Sequence, residues 1–550
     1  MATIPAKPVE PSESAATRRH PERFRAPVAD AYDVIVVGSG PGGLVTAALC
    51  ARAGKRVLVL DGHYVAGGNA TTFRRKRFEF DVGIHYLGDC GPGGLIPRIL
   101  DACGATGVRF RPMDPELEQL RFPDFDFTIP RDKATFEARL RQRFPAEARG
   151  IRRYFRFLDQ VDTMQAALGG SRWRQLFTAL RNPLVLRYAN RSLGEFLDSC
   201  THDPQLRAIL TAQNGTYAIA PSRVSAVLHA GLADHYFVNG GWYPEGGGQV
   251  LADRVAEAIE AAGGHIRLRA TVTRIHVEGP RVTGVTFAHK HLGTRTVRAP
   301  VVVSNADLKR TVLELVGAEH FPPDFVTRVR GFEMALPLFV VFLGLDVPVS
   351  ALPYGNANRW VFGGYDFDRE YEMITRGELP ERPFVYLATA SHKDPENPRL
   401  APPGHTNLQV MTAVPAQPEF WGVTREQAED GSYESSEGYA FRKAEVVRRM
   451  LDQAERVIPD LRRHIVYQEA STPLTHTRYT RSTGGTSYGI AATPAQFLGK
   501  RPGASTPIVG LYVAGASMRS GHGIAGAMLS GVYAADRVLG DGTAARVLRG

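Results

Sequence analysis

Residues 32–62 read YDVIVVGSGPGGLVTAALCARAGKRVLVLDG. The run DVIVVG is continuous and β-branched, RVLVLD repeats that pattern, and GLVTAALCARAG between them has helical spacing. The three together predict a βαβ unit. Gly38, Gly40 and Gly43 fit G-x-G-x-x-G, and Asp61 ends the second strand about 20 residues later, as a dinucleotide fingerprint requires. Gly38 permits the tight turn, Gly40 lets backbone N–H groups approach a pyrophosphate, and Gly43 lets the helix lie on the strand. Pro41 and Gly42 complete the turn, and Asp61 is placed to accept ribose hydroxyls. A glycine trio alone is a weak signal. The strands, helix and terminal acid in register make this a dinucleotide site rather than a plain glycine turn.

The chain has 550 residues, too many for one simple core, and its 43% hydrophobic and 22% charged residues are ordinary for a folded, soluble protein. Cys50, Cys90, Cys103 and Cys200 show no paired spacing, which argues against a metal site or a disulfide framework and fits a reducing compartment. Residues 1–30, rich in Pro, Ser and Arg, read as a disordered leader without a signal-peptide core. The apolar run MALPLFVVFLGL from Met334 is broken by Pro337 and falls short of the ~20 residues that cross a bilayer. A net charge of +10 permits attraction to anionic surfaces, yet it is joined to no nucleic-acid motif, so no nucleic-acid partner is expected. The expected location is the cytoplasm, peripheral on the inner face of the membrane.

Further motifs follow in order. Residues 66–88, AGGNATTFRRKRFEFDVGIHYLG, put a second glycine pair, Gly67 and Gly68, with Asn69, just after the ribose acid. Residues 240–275 begin GGWYPEGGG and continue as helix and strand, 301–307 read VVVSNAD, and 511–536 read LYVAGASMRSGHGIAGAMLSGVYAAD. The last is legible alone: a short strand, a glycine-rich turn and a helix starting near Gly523, whose positive end suits the N1/C2 region of a reduced flavin. These four motifs resemble the flavin-dependent amine oxidase clan and, within it, the family of phytoene desaturases, carotenoid isomerases and retinol saturases. The resemblance implies an α/β fold with a Rossmann-type FAD-binding domain built from 31–110, 240–310 and 500–545. Residues 111–130 and 311–499 are expected to form a mixed-sheet substrate domain, with 131–239 as a helical, membrane-facing cap. FAD is expected to be held without a covalent bond, with Gly67, Gly68, Asn69, Gly515, Gly523, Ile524 and Ala525 joining the fingerprint residues.

The segment CGPGGLIP, 90–97, has neither the preceding strand nor the following acid of a second fingerprint, so oxygen or a quinone is the expected electron acceptor rather than a bound pyridine nucleotide. Relatives of this kind act on polyenes or unsaturated lipid chains. The expected reaction is desaturation of a long hydrophobic lipid, either a carotenoid or other isoprenoid or an unsaturated fatty-acyl chain, methyl-branched ones included. Saturation, cis–trans isomerisation, amine oxidation and non-catalytic lipid binding are the alternatives. Candidate catalytic side chains are His522 and Glu245, with His85, Tyr217 and Tyr488 behind them. For Glu245 the competing reading is a solvated turn glutamate paired with an Arg; for His522 it is packing. Arg152, Phe155, Trp173, Phe177 and Tyr188 are expected to form a face for anionic lipid.

Overall fold

The computed structural model describes residues 27–167 and 172–549. Strand β1 (Val34–Val37), helix α1 (Pro41–Arg52) and strand β2 (Val57–Leu60) form the expected unit. Helix α2 (Gln249–Ala261) leads into β3 (His265–Arg267), and β4 (Val302–Ser304) and β5 (Leu511–Val513) complete one sheet in the order β3-β2-β1-β4-β5, every pairing parallel. Both faces are covered, which is why these strands read as unbroken apolar runs. Alternate residues part company: Val34, Val36, Val57 and Val59 pack under the helices with Leu44, Ile259 and Val532, whereas Ile35, Leu58 and Leu60 pack against Ile275, Val285 and Phe287. The latter three belong to an antiparallel sheet of Ala270–Glu278, Arg281–His289 and Gly293–Arg298.

Helix α3 (Gly523–Leu539) lies across α1. The crossing is close because it is made of small residues: the Thr46 hydroxyl donates to the carbonyls of both Gly42 (2.8 Å) and Gly531 (3.1 Å). Gly531 faces the Gly42 carbonyl so tightly that a Cβ there would overlap it and stand 2.9 Å from Val45 Cβ.

A second, seven-stranded sheet takes its strands from two stretches of chain. Its order is Ile465–Ser471, Leu338–Leu345, Thr406–Ala413, Val385–Ala388, Asn358–Val361, Glu118–Arg121 and Asp126–Ile129, antiparallel except between Asn358–Val361 and Glu118–Arg121. Phe339, Val341 and Leu343 pack against helix Glu437–Ala454 through Val446, Met450 and Leu451. Their neighbours Val340 and Phe342 face the interior with Met411, Trp360 and Tyr386. Between the sheets' segments runs a set of helices from Lys133–Arg143 to Ala226–Asn239.

Residues 1–26 of the expected leader lie outside the described residues. Its end needs correcting: Val28 is buried, and the Arg298 amide donates to the Asp30 carbonyl (3.0 Å), so the folded body starts before residue 30. Gly531→Ala is expected to lower stability by about 1–3 kcal/mol through overpacking, read as an earlier denaturant midpoint. An unchanged midpoint would show that the crossing can relax.

Candidate active site

The N-termini of α1 and α3 meet. A Cβ on Gly42, in the first turn of α1, would fall 2.8 Å from the Ala527 carbonyl in the first turns of α3. Neither helix start, at Gly40 or at His522, has a side-chain cap, so the amides that follow lack side-chain acceptors. Two uncapped helix starts side by side form an anion-binding corner.

Glycine keeps that corner open. Gly38 (φ 94°) closes the turn, and a Cβ on Gly43 would collide with the Gly38 carbonyl. Gly67 (φ 127°) and Gly68 (φ 57°) fold the second turn back so that the Gly67 amide donates to the Ser39 carbonyl (3.0 Å), and a Cβ on Gly68 would come within 3.1 Å of Gly40 Cα. Gly523 (φ 74°) is exposed, with nothing within 4 Å of its Cβ position, and Ile524 and Ala525 beside it are half-buried. Asp61 accepts from the Ser39 amide and hydroxyl (both 2.6 Å) through one oxygen and from the His63 amide (2.7 Å) through the other. A carboxylate has about four acceptor sites, so capacity remains for ribose. Asn69 and Asn305 each bury a side-chain oxygen without a partner.

Asn305 escaped the sequence reading as a site residue although VVVSNAD contains it. It follows β4, and its carboxamide stands 2.7 Å from the Cβ positions of both Gly40 and Gly42 and 3.2 Å from that of Gly515. Its position directly after a central parallel strand was the available signal. Gly515 (φ 111°) lies in this corner, and its amide donates to the Ser530 hydroxyl at 2.7 Å, which ties it to α3.

Two candidate catalytic residues converge near the start of α3. The His522 and Tyr488 rings meet edge to face with centroids 5.2 Å apart. The His522 ring bonds the Thr216 backbone, and Tyr488 donates to the Gly215 carbonyl (3.4 Å). Burial, helped by the Arg501 charge, pushes His522 down to about 3, so it is a neutral imidazole. Burial raises the Tyr488 phenol, which therefore stays protonated. Tyr386 lies within electrostatic reach of Tyr488, and its ring centroid is 5.9 Å from that of His85.

His85 Nδ1 donates to the Gln409 carboxamide oxygen (3.0 Å), and burial with the nearby Lys393 charge holds its pKa at about 3. Below it sits a polar knot missed in the sequence, because its members come from distant segments with no shared motif. Lys393 donates to the His85 carbonyl (2.6 Å) and to Asn358 (2.5 Å), while Glu118 accepts from Asn358 (3.2 Å) and the Trp360 indole (2.7 Å). Burial lowers Lys393 to about 7 and raises Glu118. Asp81, from the FDVGIHY motif, accepts from the Tyr243 hydroxyl and the Gly248 amide (2.7 Å) and is raised by burial to about 7.

The other two candidates are placed elsewhere. Glu245 is half-buried in an ion-pair cluster with Arg109 (2.5 Å) and Arg111 (3.3 Å), so the paired turn glutamate is the correct reading. Tyr217 is fully buried with its hydroxyl on His229 Nδ1 (3.1 Å), and His229 Nε2 meets the Tyr154 hydroxyl (2.9 Å). That closed chain engages Tyr217 in the helical core and corrects its expected catalytic role.

Residues 41–539 match the family described as flavin containing amine oxidoreductase. The zebrafish (Danio rerio) all-trans-retinol 13,14-reductase is 29% identical over 91% of this chain and 85% of its own length. A chloroplastic prolycopene isomerase of an Oncidium hybrid is 28% identical over 93% of this chain and 84% of its own. A solved structure of wild-type putrescine oxidase bound to putrescine shares the fold at a TM-score of 0.61, with 17% identity over 93% of this chain and 99% of that one. The cofactor is FAD, and the uncapped helix starts, the open glycine corner and the orphaned Asn oxygens fit it. Asn305→Leu puts branched carbon where the carboxamide packs among three glycines. It is expected to cut FAD retained through gel filtration at least about tenfold, the cost of one to two lost polar contacts. Full retention would remove Asn305 from the site.

Proposed function

This chain belongs to the flavin containing amine oxidoreductase family, and we propose that it saturates a carbon–carbon double bond of a long, apolar, conjugated polyene. Bound FAD supplies two-electron exchange with carbon. The observation that carries the direction is the state of the polar groups near the start of α3. The phenols of Tyr488 and Tyr386 are raised by burial and keep their protons, whereas the imidazoles of His522 and His85, at about 3, are very weak bases. Such a site holds no effective base to take a proton from carbon, and the phenol O–H is the proton at hand. Tyr488, held by Gly215 beside His522, is the proposed donor, and His522 fixes its ring.

The likeness to a retinol 13,14-reductase and a prolycopene isomerase over nine-tenths of the chain supports a polyene over a fatty-acyl chain. It also supports saturation over the desaturation expected from the motifs. Isomerisation is the second reading, favoured by the same protonated phenols, since protonating and deprotonating a polyene at one carbon changes geometry without net electron transfer.

The second proposed partner is an anionic lipid surface. Helix Arg172–Arg181 and the turn of helix after it leave Trp173 (79%), Leu176 (52%), Phe177 (55%), Leu180 (65%) and Leu186 (54%) exposed, the first four at helical spacing along one face. The Arg181 guanidinium lies 4.0 Å from the Phe177 ring centroid, placing positive charge beside the apolar strip. Arg152 is exposed, but Phe155 and Tyr188 are not part of this face: both are buried, Phe155 edge to face with Phe136 (5.5 Å) and Tyr188 with Phe196 (5.1 Å). Among the described residues no helix is long and apolar enough to cross a membrane.

Chemically reduced, FAD-loaded enzyme mixed without oxygen with all-trans-retinol or prolycopene is expected to give a product two mass units heavier as the flavin reoxidises. No mass change with altered geometry moves the reading to isomerisation, and flavin that never responds to any polyene overturns it. Tyr488→Phe is expected to slow the reaction about 10²-fold at unchanged FAD content, the usual loss of a positioned acid. In flotation assays the protein is expected to rise with phosphatidylserine vesicles, less so at high salt, and Leu176→Ser with Leu180→Ser to stay behind. Equal flotation of both proteins would remove this face as the contact.

A further inference from the structure

Arg501 is fully buried and has no ionic partner among the described residues. Its Nη2 donates to the carbonyls of Ile490 (2.8 Å) and Ala516 (2.9 Å), while Nε and Nη1 have no acceptor. No carboxylate among the described residues acts on it, and burial alone lowers it to about 10, which leaves it charged at neutral pH. An uncompensated buried cation is costly, and a fold retains one where a negative charge arrives to meet it.

The place of that arrival is set by the loop Arg501 holds. Ala516 follows Gly515 at the end of β5, and the same loop runs to His522 and the uncapped start of α3. The guanidinium is close enough to His522 for its charge to depress that imidazole. Being fully enclosed, it acts across the loop through the protein interior, where low dielectric strengthens charge interactions.

We propose that Arg501 is the buried counter-charge of the reduced, anionic flavin, and that it positions the 515–522 loop and sets the cofactor's midpoint potential. Oxidised flavin is neutral in its ring system; taking two electrons and one proton leaves one negative charge on the ring. A cation facing the charge stabilises only the reduced state and so raises the potential. The pyrophosphate is the other negative group of FAD, but it carries the same charge in both oxidation states, so a cation serving it changes FAD binding and not the potential.

The test is a potentiometric titration of FAD-loaded protein against reference dyes. For the wild type, the potential is expected to fall by about 30 mV per pH unit across pH 6–8, the two-electron value for one proton, a tenfold change in proton activity. A slope of about twice that means a neutral reduced flavin and overturns the proposal without any variant. Arg501→Met, similar in volume and uncharged, is expected to favour the reduced state at least tenfold less, about 30 mV lower, with Arg501→Lys recovering most of the difference. Weaker FAD retention at an unchanged potential overturns the proposal in favour of a pyrophosphate or packing role. If Arg501→Met does not hold FAD, the wild-type slope and the Arg501→Lys potential decide.

Discussion

The contact between the Gly42 carbonyl and Gly531 is the constraint on which the site depends. Two helices with ordinary side chains at their crossing stay 8–10 Å apart. Glycine on both sides, with Thr46 bridging the two backbones, brings α1 and α3 close enough for their uncapped starts to address one ligand. Asn305 then fills the wedge between Gly40, Gly42 and Gly515, tying β4 to both. Widening the crossing by one methyl group would move one helix start relative to the other, and the corner would lose its shape before the fold lost its core.

Much of this was legible because it is local or periodic. The β1-α1-β2 unit and the α3 start follow from strand runs, glycine spacing and a helical pattern within short windows. The run Leu338–Leu345 is likewise legible as a strand, but being apolar at every position it does not reveal that Phe339, Val341 and Leu343 face one way and Val340 and Phe342 the other. Lys393 and Glu118 were illegible for the opposite reason: they stand 275 positions apart in the chain, and their meeting depends on strands Glu118–Arg121 and Asn358–Val361 pairing in parallel. Glu245 misled because a glutamate in a glycine-rich motif looks functional until Arg109 and Arg111 are seen beside it. Tyr217 misled because nothing in its neighbourhood announces His229 twelve residues on. Phe155 and Tyr188 were mistaken for surface because arginines surround them in sequence, whereas the helical period turns them inward.

Burial governs the site's electrostatics. His85, His229, His476 and His522 are all pushed to between about 3 and about 4 chiefly by loss of solvent. A histidine depressed in the fold binds fewer protons than in the unfolded chain between those values and about 6.5. Its contribution to stability is therefore intact above about 6.5 and lost as pH falls towards 4. The price of a dry interior is acid sensitivity, and what it provides at His522 and His85 is neutral imidazoles, which suit the uncharged polyene proposed above.

That economy explains why Arg501 stands out. Around His522 and Tyr488 the groups are neutral imidazoles and protonated phenols, and near His85 the Lys393 ammonium and the Glu118 carboxyl are bridged by the Asn358 carboxamide. Arg501 alone is both fully enclosed and charged without a paired carboxylate among the described residues. A polyene presents nothing for it to pair with. The cofactor ring changes charge with its oxidation state, so on the proposal above a fixed positive charge behind the 515–522 loop bears on electron affinity while leaving the apolar contacts to the substrate untouched. On the readings proposed above, substrate fit and redox poise fall to different residues: the tyrosines facing the interior to the first, and an enclosed cation to the second.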